Sequence, residues 1–200
     1  MSAAPMPLTP AQAAPALVWL AQIFWGPDLE QCRDLRGALP ALEDLAAALG
    51  PGRDAPAREL AAWLAARPDP AAICRQLEPA HVALFIARPG GVAAPPYQSC
   101  YQGPGLLLGP PAQAMARRLE EAGLTLARAG EPPDHLAAEL EYLAHLLAEP
   151  ATLAQGLAFA AQELRPWLSE LAGRLATQPG CPFYALAAAL ALAVIDRLEA

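Results

Sequence analysis

Apolar residues recur at helical spacing along most of this chain. Leu17, Leu20, Ile23 and Phe24 fall at i, i+3, i+6 and i+7, a stripe that opens after Pro15 and closes before Gly26-Pro27. The same spacing predicts a helix over 39–49 that stops at Gly50-Pro51-Gly52, another over 57–66 carrying Leu60, Trp63 and Leu64, and a short one over 71–77. In 80–87 the contiguous Leu84, Phe85 and Ile86 fit helix or strand equally by period. Helix is the better reading, because no other segment offers a strand to pair with. The segment 112–126 predicts a helix with Met115, Leu119 and Ala122 inward and Arg117, Arg118, Glu120 and Glu121 in water. Leu136, Leu140, Leu143 and Leu147 form one further stripe, and Leu164, Leu168, Leu171 and Leu175 another. The apolar run Phe183 to Ile195 falls short of the ~18 residues of a membrane span and reads as a buried core helix. Abundant alanine and the scarcity of alternating β-branched runs make the expected fold class all-α, a helical bundle.

Composition narrows the picture. A chain of 200 residues suits a single domain, 1–200, or two small lobes, and can bury roughly 70% of its unfolded surface. The segment Arg88 to Pro111 is the natural joint between two helical halves, rich in proline and glycine. With 55% hydrophobic and 16% charged residues the chain should fold compactly despite 23 prolines. A net charge of −7 disfavours nucleic acid and anionic lipid and attracts basic peptides. All 13 cations are arginine, and neither lysine nor asparagine occurs. That excludes a P-loop, a Schiff-base lysine and a protein-kinase catalytic loop. Cys32, Cys74, Cys100 and Cys181 show no zinc-ligand spacing and are expected as buried or partly buried thiols in a reducing compartment, with no disulfide or metal needed for stability. No cation occurs from Met1 to Gln31, so the positive start of a secretory leader is missing and a cytoplasmic location is expected.

Two segments carry candidate chemistry. In Glu131-Pro132-Pro133-Asp134-His135-Leu136, an acid and a histidine sit where a proline-marked loop becomes a helix. Asp134 there gains from the helix dipole or caps a backbone N–H, and His135 can be a satisfied polar residue. Upstream, Pro95-Pro96-Tyr97-Gln98-Ser99-Cys100-Tyr101 and Gly105-Leu106-Leu107-Leu108-Gly109-Pro110 lie in a stretch without charge between Arg88 and Arg117. This loop, stiffened by Pro104, either packs beneath the helices or lines an apolar groove for an amphipathic basic peptide. No H-E-x-x-H spacing joins His81, His135 and His145, and no G-x-S-x-G elbow surrounds Ser99. Glu141 and His145 share a helix face at i, i+4, a spacing that fits an ordinary exposed pair equally well.

Between about Leu77 and Leu147 the chain resembles the TorD/DmsD family of cytoplasmic chaperones for molybdenum-cofactor oxidoreductases. Leu84-Phe85 looks like the family's leucine-phenylalanine pair, Pro96-Tyr97 like its proline-aromatic pair, Gly109 like the glycine after its apolar run, and Asp134-His135 like its acid-histidine motif. The resemblance implies a non-catalytic TorD-like bundle whose partner is the precursor of such an oxidoreductase, recognised at its twin-arginine leader or in its apo form, with no cofactor of its own. It further implies that Leu84, Phe85, Pro96 and Tyr97 contact the leader's apolar stretch, that Gly109 permits close approach, and that Asp134 and His135 meet its polar or cationic part. Asp134→Ala should then weaken binding with little effect on folding. His81 departs from the pattern, standing where many members carry an aromatic residue, and before Leu77 the match is only to helical character. A monomer or a dimer swapped across the 88–111 joint is expected. The alternatives are a small all-α metal- or nucleotide-dependent hydrolase using His135, Glu139 and His145, and a nitrate-reductase-type chaperone for a client that is not exported.

Overall fold

A computed structural model describes residues 8–87, 91–102, 105–126, 128 and 130–198. Every extended element among them is a helix: α1 (Pro10–Trp25), α2 (Leu29–Gly37), α3 (Leu39–Leu49), α4 (Ala55–Ala65), α5 (Pro70–His81), α6 (Pro110–Glu121), α7 (Leu136–Ala148), α8 (Leu153–Phe159), α9 (Arg165–Ala176) and α10 (Phe183–Leu198). Two π-helical turns, Val82–Ile86 and Ala160–Leu164, continue α5 and join α8 to α9. The expected all-α bundle is therefore the observed one.

α7 lies at the centre. Ten of its thirteen residues are buried, and α1 packs along it more extensively than any other two helices pack together. The leucine stripe of α7 and the one that runs from the second π-turn into α9 are buried throughout, and α10 buries Phe183, Tyr184 and its alanine-rich face. Each fully buried leucine stabilises the bundle by ~1.5–3 kcal/mol. Phe24, Phe85 and Tyr184 meet in tilted and edge-on contacts at 5.1–6.4 Å between α1, the first π-turn and α10.

Helix boundaries differ from the expected ones for local reasons. α1 begins at Pro10, not after Pro15, because Gln12 Oε1 accepts from the N–H (3.0 Å) and hydroxyl (2.8 Å) of Thr9, and because Pro15 lies on the exposed face. There the carbonyl that lacks a proline partner can be hydrated. α5 likewise runs through Pro79. α2 lacks an apolar stripe, since only Cys32 and Leu35 are buried. Its marker is a capping box in which Asp28 accepts from the Gln31 N–H at 2.8 Å. Arg118, expected in water, is half-buried and pairs with Glu163 at 2.5 Å.

Cysteine usage also departs from expectation. Cys32 of α2 and Cys74 of α5 form a disulfide with Cα atoms 6.0 Å apart, while Cys100 and Cys181 are free and half-buried. Residues 88–90 and 103–104, including Arg88 and Pro104 of the expected joint, lie outside the described residues. The described part of that joint is split: Ala94, Pro96, Gln98 and Ser99 are buried, whereas Leu106, Leu107 and Leu108 are exposed. No helix among the described residues is long and apolar enough to cross a membrane.

Candidate functional site

The two sequence segments meet. Gln98 N–H donates to the Asp134 carbonyl (3.0 Å) and Leu136 N–H to the Pro96 carbonyl (2.8 Å), an antiparallel bridge centred on Tyr97 and His135. The Asp134 carboxylate fastens the same turn from the side, its Oδ2 accepting from Ser99 N–H at 2.8 Å. His135 caps α7, its Nδ1 accepting from Ala137 N–H at 3.1 Å. An accepting Nδ1 carries no proton, so the neutral ring holds its proton on Nε2. Burial first, then the charges of His81 and Arg128, lower the His135 pKa to about 3.

Aromatic rings enclose that imidazole. Trp25, the last residue of α1, stacks on it at 4.5 Å with planes 6° apart, and Tyr97 meets it edge-on at 5.2 Å. Arg128 donates to the Trp25 carbonyl at 2.6 Å and lies 5.0 Å from the Trp25 ring centroid, a cation–π contact. Tyr97 donates its hydroxyl to Glu131 Oε1 at 2.6 Å, and burial with this bond pushes its pKa above the usual phenol range. His81 fills the space beside Gly26, where a Cβ would lie 2.9 Å from its Nε2, and burial with the Arg128 charge lowers its pKa to about 4.

The structure thus brings Pro96, Tyr97, Asp134 and His135 together directly. Gly109 joins them beneath Ser99, whose Cβ lies 3.6 Å from where a Gly109 Cβ would be. The tighter neighbour of that position, at 3.1 Å, is the Leu106 carbonyl, so the close approach it permits is within its own loop. Leu84 is tied to the loop by its carbonyl, which accepts from Ala94 N–H at 3.0 Å. Leu84 and Phe85 are buried, and the exposed apolar residues of their turn are Val82 and Ile86. Asp134 is 0% exposed and His135 5% exposed. In this conformation burial keeps any peptide side chain from Asp134, whose Oδ2 is bonded to Ser99 N–H and whose Oδ1 has no partner among the described residues.

This geometry predicts a cost to folding where the sequence alone predicts little effect. Asp134→Ala leaves the buried Ser99 N–H without its charged acceptor, and we expect a loss of about 2–3 kcal/mol in chemical denaturation. Asp134→Asn, which can still accept, should lose markedly less. Unchanged stability in the alanine variant would show that this carboxylate does not hold the turn.

The residues of the alternative hydrolase are not assembled. Glu139 is buried against Trp167 Nε1 at 2.9 Å, whereas His145, six residues further along α7 and therefore about 240° around the helix, is exposed. Among the described residues no cluster of three His, Cys, Asp or Glu side chains is placed to hold a metal.

Sequence reasoning overlooked the N-terminal contribution. Beside the aromatic stack runs a groove of about 760 Å³ between α1, α2 and α7, floored by the start of α10. Its walls are mainly apolar, with Val18, Ile23, Leu35 and Leu77 among them, and Glu141 and Asp34 supply carboxylates. Trp25 connects groove and stack, donating its Nε1–H to Glu141 Oε1 at 2.9 Å.

This architecture is shared with a solved structure. A crystal structure described as a redox enzyme maturation protein from Archaeoglobus fulgidus superposes with a TM-score of 0.57 at 25% identity, covering 86% of each chain. The chain belongs to the nitrate reductase delta subunit family, whose model it matches over residues 46–173. The chaperone protein TorD of Vibrio cholerae serotype O1, from each of three strains, is 38% identical to it over 116 residues, 52% of this chain and 53% of the relative. The chain spans about half the length of these curated relatives in that match.

Proposed function

We propose that this protein is a non-catalytic chaperone that binds the precursor of a molybdenum-cofactor oxidoreductase, at its twin-arginine leader or in its apo form, and holds it in the cytoplasm until the cofactor is inserted. Family membership and the likeness to TorD support the class of client. The observation that carries the binding mode is the apolar groove along α1 and α7, open to solvent and rimmed by acids, which fits an apolar segment bearing cations. In this reading Pro96, Tyr97, Gly109, Asp134 and His135 serve binding from below the surface: they fix the stack that holds Trp25, and Trp25 holds Glu141, a residue of the groove wall. Leu84 and Phe85 support it from the core. The clamp at Asp134 is a rigid base rather than a contact for the leader's arginines.

Capture from a lysate of the source organism tests this, with tagged wild type beside Val18→Arg. Val18 lines the groove and is exposed, so the arginine obstructs the groove without entering the core. Wild type should retain a molybdoenzyme catalytic subunit still bearing its leader, enriched at least about tenfold over Val18→Arg, a difference of ~1.4 kcal/mol in affinity. Equal retention by the two proteins would remove the groove from the site. Absence of any molybdoenzyme would overturn the client.

A further inference from the structure

Glu141 is a carboxylate in the groove that forms no ion pair among the described residues. It stands on the face of α7 that looks toward α1, half-buried, and its Oε1 accepts from Trp25 Nε1 at 2.9 Å and more distantly from Gln22 Nε2 at 3.4 Å. Those donors fix the direction of the carboxylate but leave its charge whole, since neither is a cation. No ion pair involves Glu141 among the described residues, although other half-buried acids do have partners, such as Glu163 with Arg118. The lining of the groove contains a second carboxylate, Asp34 of α2, and no arginine. A carboxylate held in place between apolar walls, without a counter-ion, is a partly desolvated charge that an incoming cation would neutralise.

We infer that Glu141 is the seat for a guanidinium group of the peptide that lies in the α1–α7 groove, and that it selects charged leaders from equally apolar uncharged ones. The inference rests on the reading of the chain as a leader-binding chaperone and deepens it by assigning the residue that reads charge. Three features favour arginine over uncharged groups. A fixed carboxylate with one oxygen already bonded presents its second oxygen to a planar donor, and guanidinium offers several N–H groups in a rigid fork. The stem of arginine is apolar and can lie along Val18 and Ile23 while its head reaches the acid. The surrounding aliphatic surface lowers the local dielectric, so the pair gains more than it would in open solvent. The indole bond makes Glu141 sensitive to the stack behind it: Trp25 is pinned by His135 on one face, and Arg128 bonds its carbonyl. The clamp at Tyr97 and His135 thereby positions the carboxylate that reads the leader, without touching the leader itself.

The test uses two synthetic leader-type peptides of identical sequence, an arginine pair followed by an apolar segment of about twelve residues, in which the arginines of the second are replaced by citrulline. Citrulline keeps the shape and removes the charge. Binding of each to the full-length wild type and to Glu141→Gln is measured by calorimetry at low and moderate salt. Glutamine can still accept from Trp25, so the variant is expected to fold, which circular dichroism and a melting curve check. Wild type should bind the arginine peptide at least about tenfold more tightly than the citrulline peptide, and Glu141→Gln should bind the two alike, with an affinity near that of wild type for citrulline. If Glu141→Gln keeps the full preference for arginine, or if wild type shows none, the seat is overturned while the chaperone reading stands. If neither peptide binds the wild type, leader binding fails and the seat with it.

Discussion

Glu139→Gln is expected to raise the melting temperature at pH 8 and to leave it nearly unchanged at pH 5. Glu139 is fully buried on α7, with Oε2 accepting from Trp167 Nε1 and Oε1 lacking any partner among the described residues. Burial holds its pKa well above 4.5, and the charges of Asp134 and Glu163 add to the rise, against the Trp167 hydrogen bond and Arg118. A carboxyl whose pKa is higher folded than unfolded takes up a proton on folding. Its stabilising contribution is complete below the unfolded value and is lost as pH climbs toward the folded one, by roughly 1.4 kcal/mol per pH unit. Glutamine is neutral at every pH and keeps an acceptor for the indole, so it removes that loss. The gain at pH 8 should show as a higher melting temperature, by ~2–4 °C for each kcal/mol regained in a chain of this size.

The histidines act in the opposite sense. His81 and His135, lowered to about 4 and about 3, keep the fold at full stability above their unfolded value of 6.5 and weaken it as pH falls below that value. His81 is only partly buried, so solvent screens its share. With Glu139 destabilising above pH 4.5 and two histidines destabilising below 6.5, wild-type stability should peak near neutrality. Thermal melts across pH 4–9 on wild type and Glu139→Gln decide the matter. A variant destabilised equally at pH 5 and pH 8 would mean that Glu139 is ionised in the folded protein.

Sequence periodicity located most helices because their leucines repeat at the spacing that one buried face demands. It passed over α2, which buries only Cys32 and Leu35 and is fastened by its cap and by the disulfide to α5. It placed the start of α1 too late, since a helix can run through a proline such as Pro15 whose exposed face lets water reach the unpartnered carbonyl. The pairing of Pro96-Tyr97 with Asp134-His135 carries no periodic signal, and the family resemblance pointed to these residues. Whether they face solvent depended on what covers them, which neither period nor motif encodes. Asp134 sits at a helix entrance, as expected, yet its Oδ2 is taken by Ser99 N–H from a turn that lies over it, and its Oδ1 is buried without a partner among the described residues. Trp25 belongs to no motif and comes from the N-terminal helix, so its stacking on His135 and its bond to Glu141 follow only from the packing of α1 on α7. For the same reason Glu141 and His145 read as an exposed pair on one helix, when the wall facing them is part of another.

The disulfide is the other feature that spacing did not show, and its removal should have the second large effect on stability. Cys32 and Cys74 are separated by 42 residues, and closing a loop of that size restricts the unfolded chain by about 4 kcal/mol in the entropic model, within a measured range of ~2–5 kcal/mol. Unfolded without reductant, the protein should therefore expose two reactive thiols, Cys100 and Cys181, and four after reduction. Reduction, or the pair of substitutions Cys32→Ala and Cys74→Ala, should lower the melting temperature by roughly 5–15 °C. The loss should begin locally. α2 buries one other side chain, Leu35, so its amides should lose hydrogen-exchange protection before those of α7 and α10. Such bonds are rare where thiols are kept reduced, which makes the thiol count the decisive first step. Four thiols titrating in the absence of reductant would show that the two sulfurs are neighbours and not bonded, and α2 would then rest on Leu35 and its capping box alone.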